Sequence, residues 1–402
     1  MQTEKTRKVA DWINGYVTLT ENTEAPRSFR FWTALSMVAA AMQRKCYTQF
    51  GLEKMYPNMY IVLVGPSVCR KGTAMRPGQA ILKEIGIPLA PDLTTHQALI
   101  RRLQSSVATD IMVIDGKERP VQHSSLTIFS EELTVFLGYN NAEFVTSLID
   151  WYDCKDNWKY ETKNQGNDHV VGVWVNLLGA STPDLIVRSL PKEAVGGGLL
   201  SRIVFIYEAK KGKLVPWPVL SPEASALREK LKEDLELIST LSGEFLPDEP
   251  WIMAYMDWYE KQDLTKAIED PRLESYLTRR ATHVRKISMI LSASRSDEKI
   301  IRKVDFARAI RELEAVERRM HLVFSGLGQS KIQDVLARVM STISVNKRMK
   351  FSELLKLYYY DADKETLSKV IATLESMQFC TIIQTTEGAV IEYNPVRTKD
   401  AE

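Results

Sequence analysis

The stretch Gly65-Pro66-Ser67-Val68-Cys69-Arg70-Lys71-Gly72-Thr73 follows an apolar run, Tyr60 to Val64, and precedes a segment of helical periodicity. Residues of these types in this order can hold phosphate. A strand aims the turn and glycine lets backbone N–H groups surround anionic oxygens. A lysine then meets the β and γ phosphates, and a helix N-terminus adds its partial positive charge. Gly65 and Lys71 stand at the spacing of the G-x-x-x-x-G-K-[ST] pattern. Two positions depart from it. Arg70 stands where the pattern has its second glycine, and Gly72 stands where it has the magnesium-binding hydroxyl, with Thr73 one residue late. Arg70 must take the turn's backbone geometry without glycine's freedom, while its guanidinium can add a charge-assisted contact to phosphate. The same residues also suit a generic strand-turn-helix carrying a surface lysine.

Nucleotide hydrolysis at such a loop needs an acidic pair at the end of a neighbouring strand, one carboxylate for the metal shell and one to activate water. Glu131 and Glu132 directly follow the apolar run in "LTIFSEEL". Glu131 is assigned to magnesium, through water, with Thr73 as the displaced hydroxyl ligand, and Glu132 to the general base. The alternative is that both glutamates begin a helix and favour its dipole. "VNLLGASTPDLI" ends a further strand with Ser181 and Thr182, polar groups placed to face a γ phosphate and its attacking water. Arg202 follows a triple glycine and precedes the apolar "IVFIYE". From there it could reach a neighbouring subunit's nucleotide, or make an ordinary ion pair at a strand start.

The elements that must position these groups follow from length and pattern. A chain of 402 residues exceeds what one hydrophobic core serves, so two or three domains are expected. Apolar residues at 45% and charged residues at 26% describe an ordinary globular protein and exclude long disordered or fibrous stretches. Fifty-three Lys and Arg against 51 Asp and Glu leave a net charge of +2, so any polyanion site must be local. Cys46, Cys69, Cys154 and Cys380 lack C-x-x-C spacing, which favours reduced thiols over a disulfide or zinc framework. The five histidines are isolated, without ligand spacing. The opening "MQTEKTRKVADW" has no apolar signal core and no run is long enough to span a bilayer, so a soluble, cytoplasmic protein with no membrane partner is expected.

Along the chain, "TRKVADWINGYV" and "RSFRFWTALSMVAAAMQRK" read as helices, and "MYIVLVG" as a strand buried on both faces. "DIMVIDGKERPVQHSSLTIFS" is two apolar runs around Asp115-Gly116, and "VVGVWVNLLGAST" and "RIVFIYE" bring the set to about five strands interleaved with helices. That pattern predicts an α/β layered core. The proline-rich 212–222 segment suggests a boundary, followed by helices, with Asp305 as an N-cap. After a glycine break, three short helices and two strand-like runs around Glu387-Gly388 predict a winged helix-turn-helix. The expected domains are an N-terminal helical segment over 1–50, a phosphate-loop core over 51–212, a helical, lid-like domain over 213–328, the winged helix over 329–396 and a tail over 397–402.

Taken in order, "FRFWTALSMVAAAM", "PNMYIVLVGPSVCRKGTA", "LTIFSEEL", "VNLLGASTPDLI", "GGGLLSRIVFIYE" and "RRATHVRKISMIL" resemble a family of phage and prophage P-loop ATPases, helicase-like or primase-associated, over roughly residues 25 to 325. The resemblance implies an α/β P-loop NTPase core, RecA-like or AAA+-like, and a homo-oligomeric ring, hexameric, with ATP and Mg2+ between subunits. It also implies work on DNA during replication of a mobile element, with a primase as a possible partner. Gly65, Pro66, Ser67, Cys69, Arg70, Lys71, Gly72 and Thr73 would bind the nucleotide. Glu131 and Glu132 would form the acidic motif, Ser181 or Thr182 the sensor, and Arg202 the finger supplied in trans. The implied activity is that of an ATP-driven replicative DNA helicase. Gly72 and Arg70 motivate the alternative of a replication initiator or scaffold that binds ATP and DNA without efficient turnover.

Two segments could meet DNA. "DCKDNWKYETKNQGNDHV" interleaves Lys155, Lys159 and Lys163 with Trp158 and Tyr160, as a single-strand channel does, and superfamily 3 helicases, which the arrangement resembles, send a hairpin before the sensor strand into the ring pore. It could equally be a surface hairpin whose aromatics pack on their own domain. In the winged helix, "KETLSKVIATLESMQF" would be the recognition helix, with Lys364 and Lys369 toward duplex DNA. Residues 331–402 carry no net charge, which suits a protein-contact module as well.

Overall fold

The computed structural model describes residues 6–92, 94–114, 116–138, 141–162, 166–189, 198–262, 273–324, 331–359, 362–386 and 388–394. The chain divides into two compact units, Met1–Phe324 and Ser325–Glu402.

In the first unit, Asp11 caps helix α1 (Trp12–Leu19) by accepting the N–H of Asn14. Helix α2 (Arg27–Met42) is buried from Phe29 to Met42. Its small residues, Ala34 and Ala39 to Ala41, let neighbours approach from every side, so it is a central core helix and not a surface one. Strands β1 (Cys46–Phe50) and β2 (Glu53–Met55) form a hairpin. They lead into β3 (Tyr60–Val64), all five residues of which are buried, as a continuous apolar run between two layers should be. Next come α3 (Lys71–Glu84), α4 (His96–Ser105), and the antiparallel pair β4 (Val107–Ile114) and β5 (Lys117–Ser130), joined at Gly116, whose φ of +71° suits glycine. Helices α5 (Leu133–Leu137) and α6 (Ala142–Tyr152), hairpin β6 (Asn157–Thr162) and β7 (Gly166–Val171), and strand β8 (Val173–Ser181) follow. Helices α7 (Pro183–Ser189) and α8 (Leu199–Arg202) precede β9 (Ile203–Tyr207).

The five-stranded sheet has the order β4-β5-β8-β3-β9, with β5, β8, β3 and β9 parallel. The fold is therefore mixed α/β. From β3 the chain leaves to one side, returns beside it as β8, and crosses to its other edge as β9. This reversal marks where open α/β sheets place ligands, outside the carboxyl ends of the strands.

After the proline-rich segment come α9 (Pro222–Thr240), α10 (Glu249–Lys261), α11 (Glu274–Arg295) and α12 (Lys303–Met320). The helices expected as a separate domain from 213 share one continuous hydrophobic core with the sheet and α2. Asp305, expected as an N-cap, lies one turn inside α12. It accepts the Arg302 N–H at 2.7 Å from the third helical position, and Arg295 holds its carboxylate. The cysteines are buried and free. Among the described residues no helix is long and apolar enough to cross a membrane.

The second unit contains helices Lys331–Asn346, Phe351–Leu357 and Lys364–Ser376 and an antiparallel sheet of Arg348–Lys350, Gly388–Tyr393 and Cys380–Thr385, in that order. Its own core joins Val339, Ile343, Leu354, Leu367, Ile371 and Ile391.

His283 shows how tightly the first unit is packed. It is fully buried on α11, donates from Nε2 to the Ser201 carbonyl at 3.0 Å, and stacks on Tyr276. Burial pushes its pKa down to about 3. The unfolded histidine binds its proton near pH 6.5 and the native one does not, so stability falls as pH drops through the window between those values. Urea unfolding at pH 7 and pH 5 should show wild type losing roughly 2 kcal/mol more than His283→Gln. Equal losses would remove this assignment.

Candidate functional site

Register brings most of the chemistry-bearing groups to one edge. Val64 of β3 pairs with Ser181 of β8, and Gly179 of β8 pairs with Ser130 of β5, so Gly65, Ser181, Thr182, Glu131 and Glu132 all emerge at the carboxyl ends of parallel neighbours. The N–H of Gly65 donates to the Ser181 carbonyl at 3.3 Å. A Cβ on Gly65 would overlap the carbonyl oxygen of Glu208, where β9 ends, so glycine is required there by close backbone approach.

The turn then closes on itself. Pro66 leads into a single 3-10 turn at Ser67–Cys69, the Cys69 N–H donating to Pro66 O and its buried thiol to Glu208 O at 3.2 Å. Arg70 follows in the left-handed region at φ +59°, the conformation that the phosphate-loop pattern reserves for glycine. α3 starts at the next residue. The Lys71 ammonium curls back over the turn, donating to Gly65 O at 2.7 Å and Pro66 O at 3.0 Å. Its burial lowers the lysine pKa, opposed by the nearby Cys69 and Glu132.

Gly72 and Glu131 belong together. A Cβ on Gly72 would overlap the Glu131 carboxylate, so the side chain from β5 stands where the pattern would have its hydroxyl. Arg76, one turn along α3, clasps that carboxylate at both oxygens, 2.7 Å each. Thr73 is half-buried in the first turn of α3 and Glu132 is exposed. A cavity of about 320 Å3 lies against Met75, Gln79, Asp92, Phe129, Glu131 and Glu132. Ser181 is buried with its hydroxyl toward Thr182 O at 3.4 Å, and Thr182 accepts the Leu185 N–H, starting α7.

Further charges ring the loop that the sequence reading missed. Glu24, before α2, accepts from Arg70 at 2.7 Å and Lys211 at 2.6 Å, and those contacts, Lys211 first, hold its pKa down to about 2. Glu208 takes Ser28 and Arg319 of α12, at 2.6 and 2.7 Å. No spacing rule links these residues, because each pair is separated by 46 to 187 positions. Among the described residues no cluster of three or more His, Cys, Asp and Glu is arranged to hold a metal ion.

Arg202 lies elsewhere. It sits at the amino-terminal end of β9, the opposite edge of the sheet, 6% exposed. Its guanidinium is held by Asp153 at 2.5 Å and by Gly198 O at 2.8 Å. A finger for a neighbouring subunit must be presented at the surface, whereas Arg202 is buried and makes the alternative ion pair, within the chain, with the exposed Asp153. Trp158 is likewise covered. It is buried, stacks on Tyr160 with ring centroids 5.9 Å apart, meets Trp151 edge-on and donates to Asp150, so its faces are not free for bases. Lys155 pairs with Asp150 at 2.6 Å, Lys159 is exposed on the hairpin, and Lys163 lies outside the described residues. In the second unit Lys364 is exposed at the start of its helix and Lys369 pairs with Glu365.

Two glycine substitutions separate backbone fit from side-chain fit. Gly65→Ala meets backbone and must shift the strand end, so urea unfolding should show a loss of about 2 kcal/mol. Gly72→Ala meets only the end of a flexible glutamate and should stay within about 0.5 kcal/mol of wild type.

Compared with models of known protein families and with curated proteins, the chain matches none.

Proposed function

We propose that the protein is an ATP-dependent DNA motor, a ring-forming replicative helicase of a phage or mobile genetic element. One observation carries the reading: a turn closed by a left-handed Arg70, with its lysine curled inside, opens a 14-residue helix on the same sheet edge as an acidic pair. In this reading the phosphates of ATP replace the Gly65 and Pro66 carbonyls as partners of Lys71, while the N-terminus of α3 and Arg70 add positive charge. Glu132 takes the proton from water as its oxygen bonds to the γ phosphorus and the bond to the bridging oxygen breaks. Ser181 orients that water. Magnesium suits the oxygen donors at this edge; Glu131, standing over Gly72, would hold it, and the ion would neutralise phosphate charge. Arg319, tied to Glu208 on the loop's own edge, takes over the charge-stabilising role that Arg202's burial denies it.

The wider assembly is part of the same proposal. Copies of the chain form a ring, hexameric in this reading, around a DNA strand, with a primase as a further partner. The second unit, three helices and a three-stranded sheet, serves as a winged helix presenting Lys364 and Lys369 to duplex DNA.

A second reading, an initiator or scaffold that holds ATP with slow turnover, is favoured by the Arg76 clasp on Glu131 and by Gly72. Two measurements decide. DNA-stimulated ATP hydrolysis should fall by roughly 100-fold in Lys71→Ala, and equal activity in both proteins would end the motor reading. Arg76→Ala frees Glu131 from an exposed, solvent-screened ion pair, so the Mg2+ concentration for half-maximal hydrolysis should fall about threefold. No hydrolysis in wild type, with tight ATP binding retained, would select the scaffold.

A further inference from the structure

The largest cavity among those described lies at the sheet edge opposite the loop, about 920 Å3, under the amino-terminal ends of β3 and β5. β3 spans about 16 Å, so the two sites are separated by the thickness of the core. Six cations line the cavity: Arg44, Lys54, Lys155, Arg279, Arg285 and Lys286. Three of them already meet carboxylates: Arg44 pairs with Asp156 at 2.5 Å, Lys155 with Asp150 at 2.6 Å, and Arg279 lies 3.5 Å from Asp153, which Arg202 also holds. Lys54, Arg285 and Lys286 have no carboxylate within ion-pair distance among the described residues.

Four of the six cations rest on an aromatic ring. Arg285 lies 3.6 Å over Phe50, Lys286 3.9 Å over Tyr152, Lys54 4.5 Å over Tyr47 and Arg44 4.5 Å over Tyr56. A cation backed by a ring is held in place without an anion, which leaves the outer side of Lys54, Arg44 and Arg285 for one, whereas the buried Lys286 already donates to Asn58. Arg44 Nε and Arg285 Nη1 are buried without an acceptor among the described residues, a cost of about 1–3 kcal/mol each. Because the ring faces carry cations, the site offers phosphate contacts and not base stacking. The volume is near the upper end of small-molecule pockets, with cations on several walls, and so suits successive phosphates better than one.

We propose that this cavity binds single-stranded nucleic acid through its phosphodiester backbone, without sequence preference. The site is independent of the phosphate loop and does not rest on the ATPase reading. The chemistry it recognises, a phosphate anion, could also come from free nucleotide, and the test separates the two sources.

Fluorescence anisotropy of a labelled 20-mer oligodeoxythymidine, titrated with the full chain without nucleotide at several salt concentrations, reads binding directly. Lys54→Glu with Arg279→Glu alters two accessible side chains, and circular dichroism melting checks that the double variant folds. Its affinity should fall more than 10-fold, and the slope of log affinity against log salt should become shallower by about 1.4, two phosphates' worth for a single strand. Lys71→Ala should bind the strand as wild type does, even if it abolishes ATP hydrolysis. Wild-type binding by the folded double variant, or no binding by wild type, overturns the proposal. So does competition by ATP or inorganic pyrophosphate as strong as that of unlabelled strand at equal phosphate concentration, which would make this a free-anion site.

Discussion

The arrangement depends on β3 being hydrogen-bonded along both edges. Five residues pair with β8 on one side and β9 on the other, residue for residue, from Tyr60 with Leu177 and Ile203 to Val64 with Ser181 and Tyr207. A strand held on both sides cannot slip by one residue without moving every buried side chain to the wrong face. Its end is therefore fixed, and with it the point at which Gly65 must turn between the Ser181 carbonyl and the end of β9. Everything at the loop inherits its position from that register, including the left-handed Arg70, whose strain of about 1–3 kcal/mol the surrounding contacts hold.

Exposure distinguishes the ion pairs at the two edges. Around the loop, Arg70 with Glu24, Arg76 with Glu131 and Arg319 with Glu208 are partly exposed pairs, screened by solvent and weak. An arriving polyanion can exchange such partners at little cost. At the far edge Arg202 is itself buried while its partner Asp153 is exposed, so loss of Asp153 would leave a buried guanidinium without its charge partner. The loop cations are thus the exchangeable ones, whereas Arg202 is itself buried, behind the basic cavity.

The strands and the loop were legible because their signals are local: an unbroken apolar run for β3, a turn at Gly116 for the β4-β5 hairpin, and the order of glycine, lysine and helix for residues 65 to 84. The left-handed conformation of Arg70 was legible too, as the requirement of a pattern that Arg70 itself breaks. What stayed hidden depends on pairs distant in sequence. Arg76 meets Glu131 from 55 residues away, and Trp158 reads as a stacking platform until Tyr160 and Trp151 are seen to cover it. Arg202 reads as a finger until Asp153 is found beside it, and nothing in the spacing of Arg44, Lys54 and Arg285 shows that they line one cavity.

Helix α11 shows why such sites escape a reading of pattern alone. "RRATHVRK" is one basic run in the sequence, yet helical periodicity divides it. Arg280 and His283 turn inward, Arg280 to the buried Glu317 at 2.8 Å and His283 to Ser201. Arg279, Thr282 and Lys286, at intervals of three and four, line the cavity. Lys286 does both jobs: its buried ammonium donates to Asn58 Oδ1 at 2.7 Å and Asn58 O at 3.0 Å, just before β3, and burial brings its pKa down to about 8. Asn176 completes the join, accepting the Met59 N–H and donating to Ser36 of α2. A buried lysine is tolerable only with its hydrogens satisfied, so the residues that make it so also pin the start of the strand whose other end carries the loop.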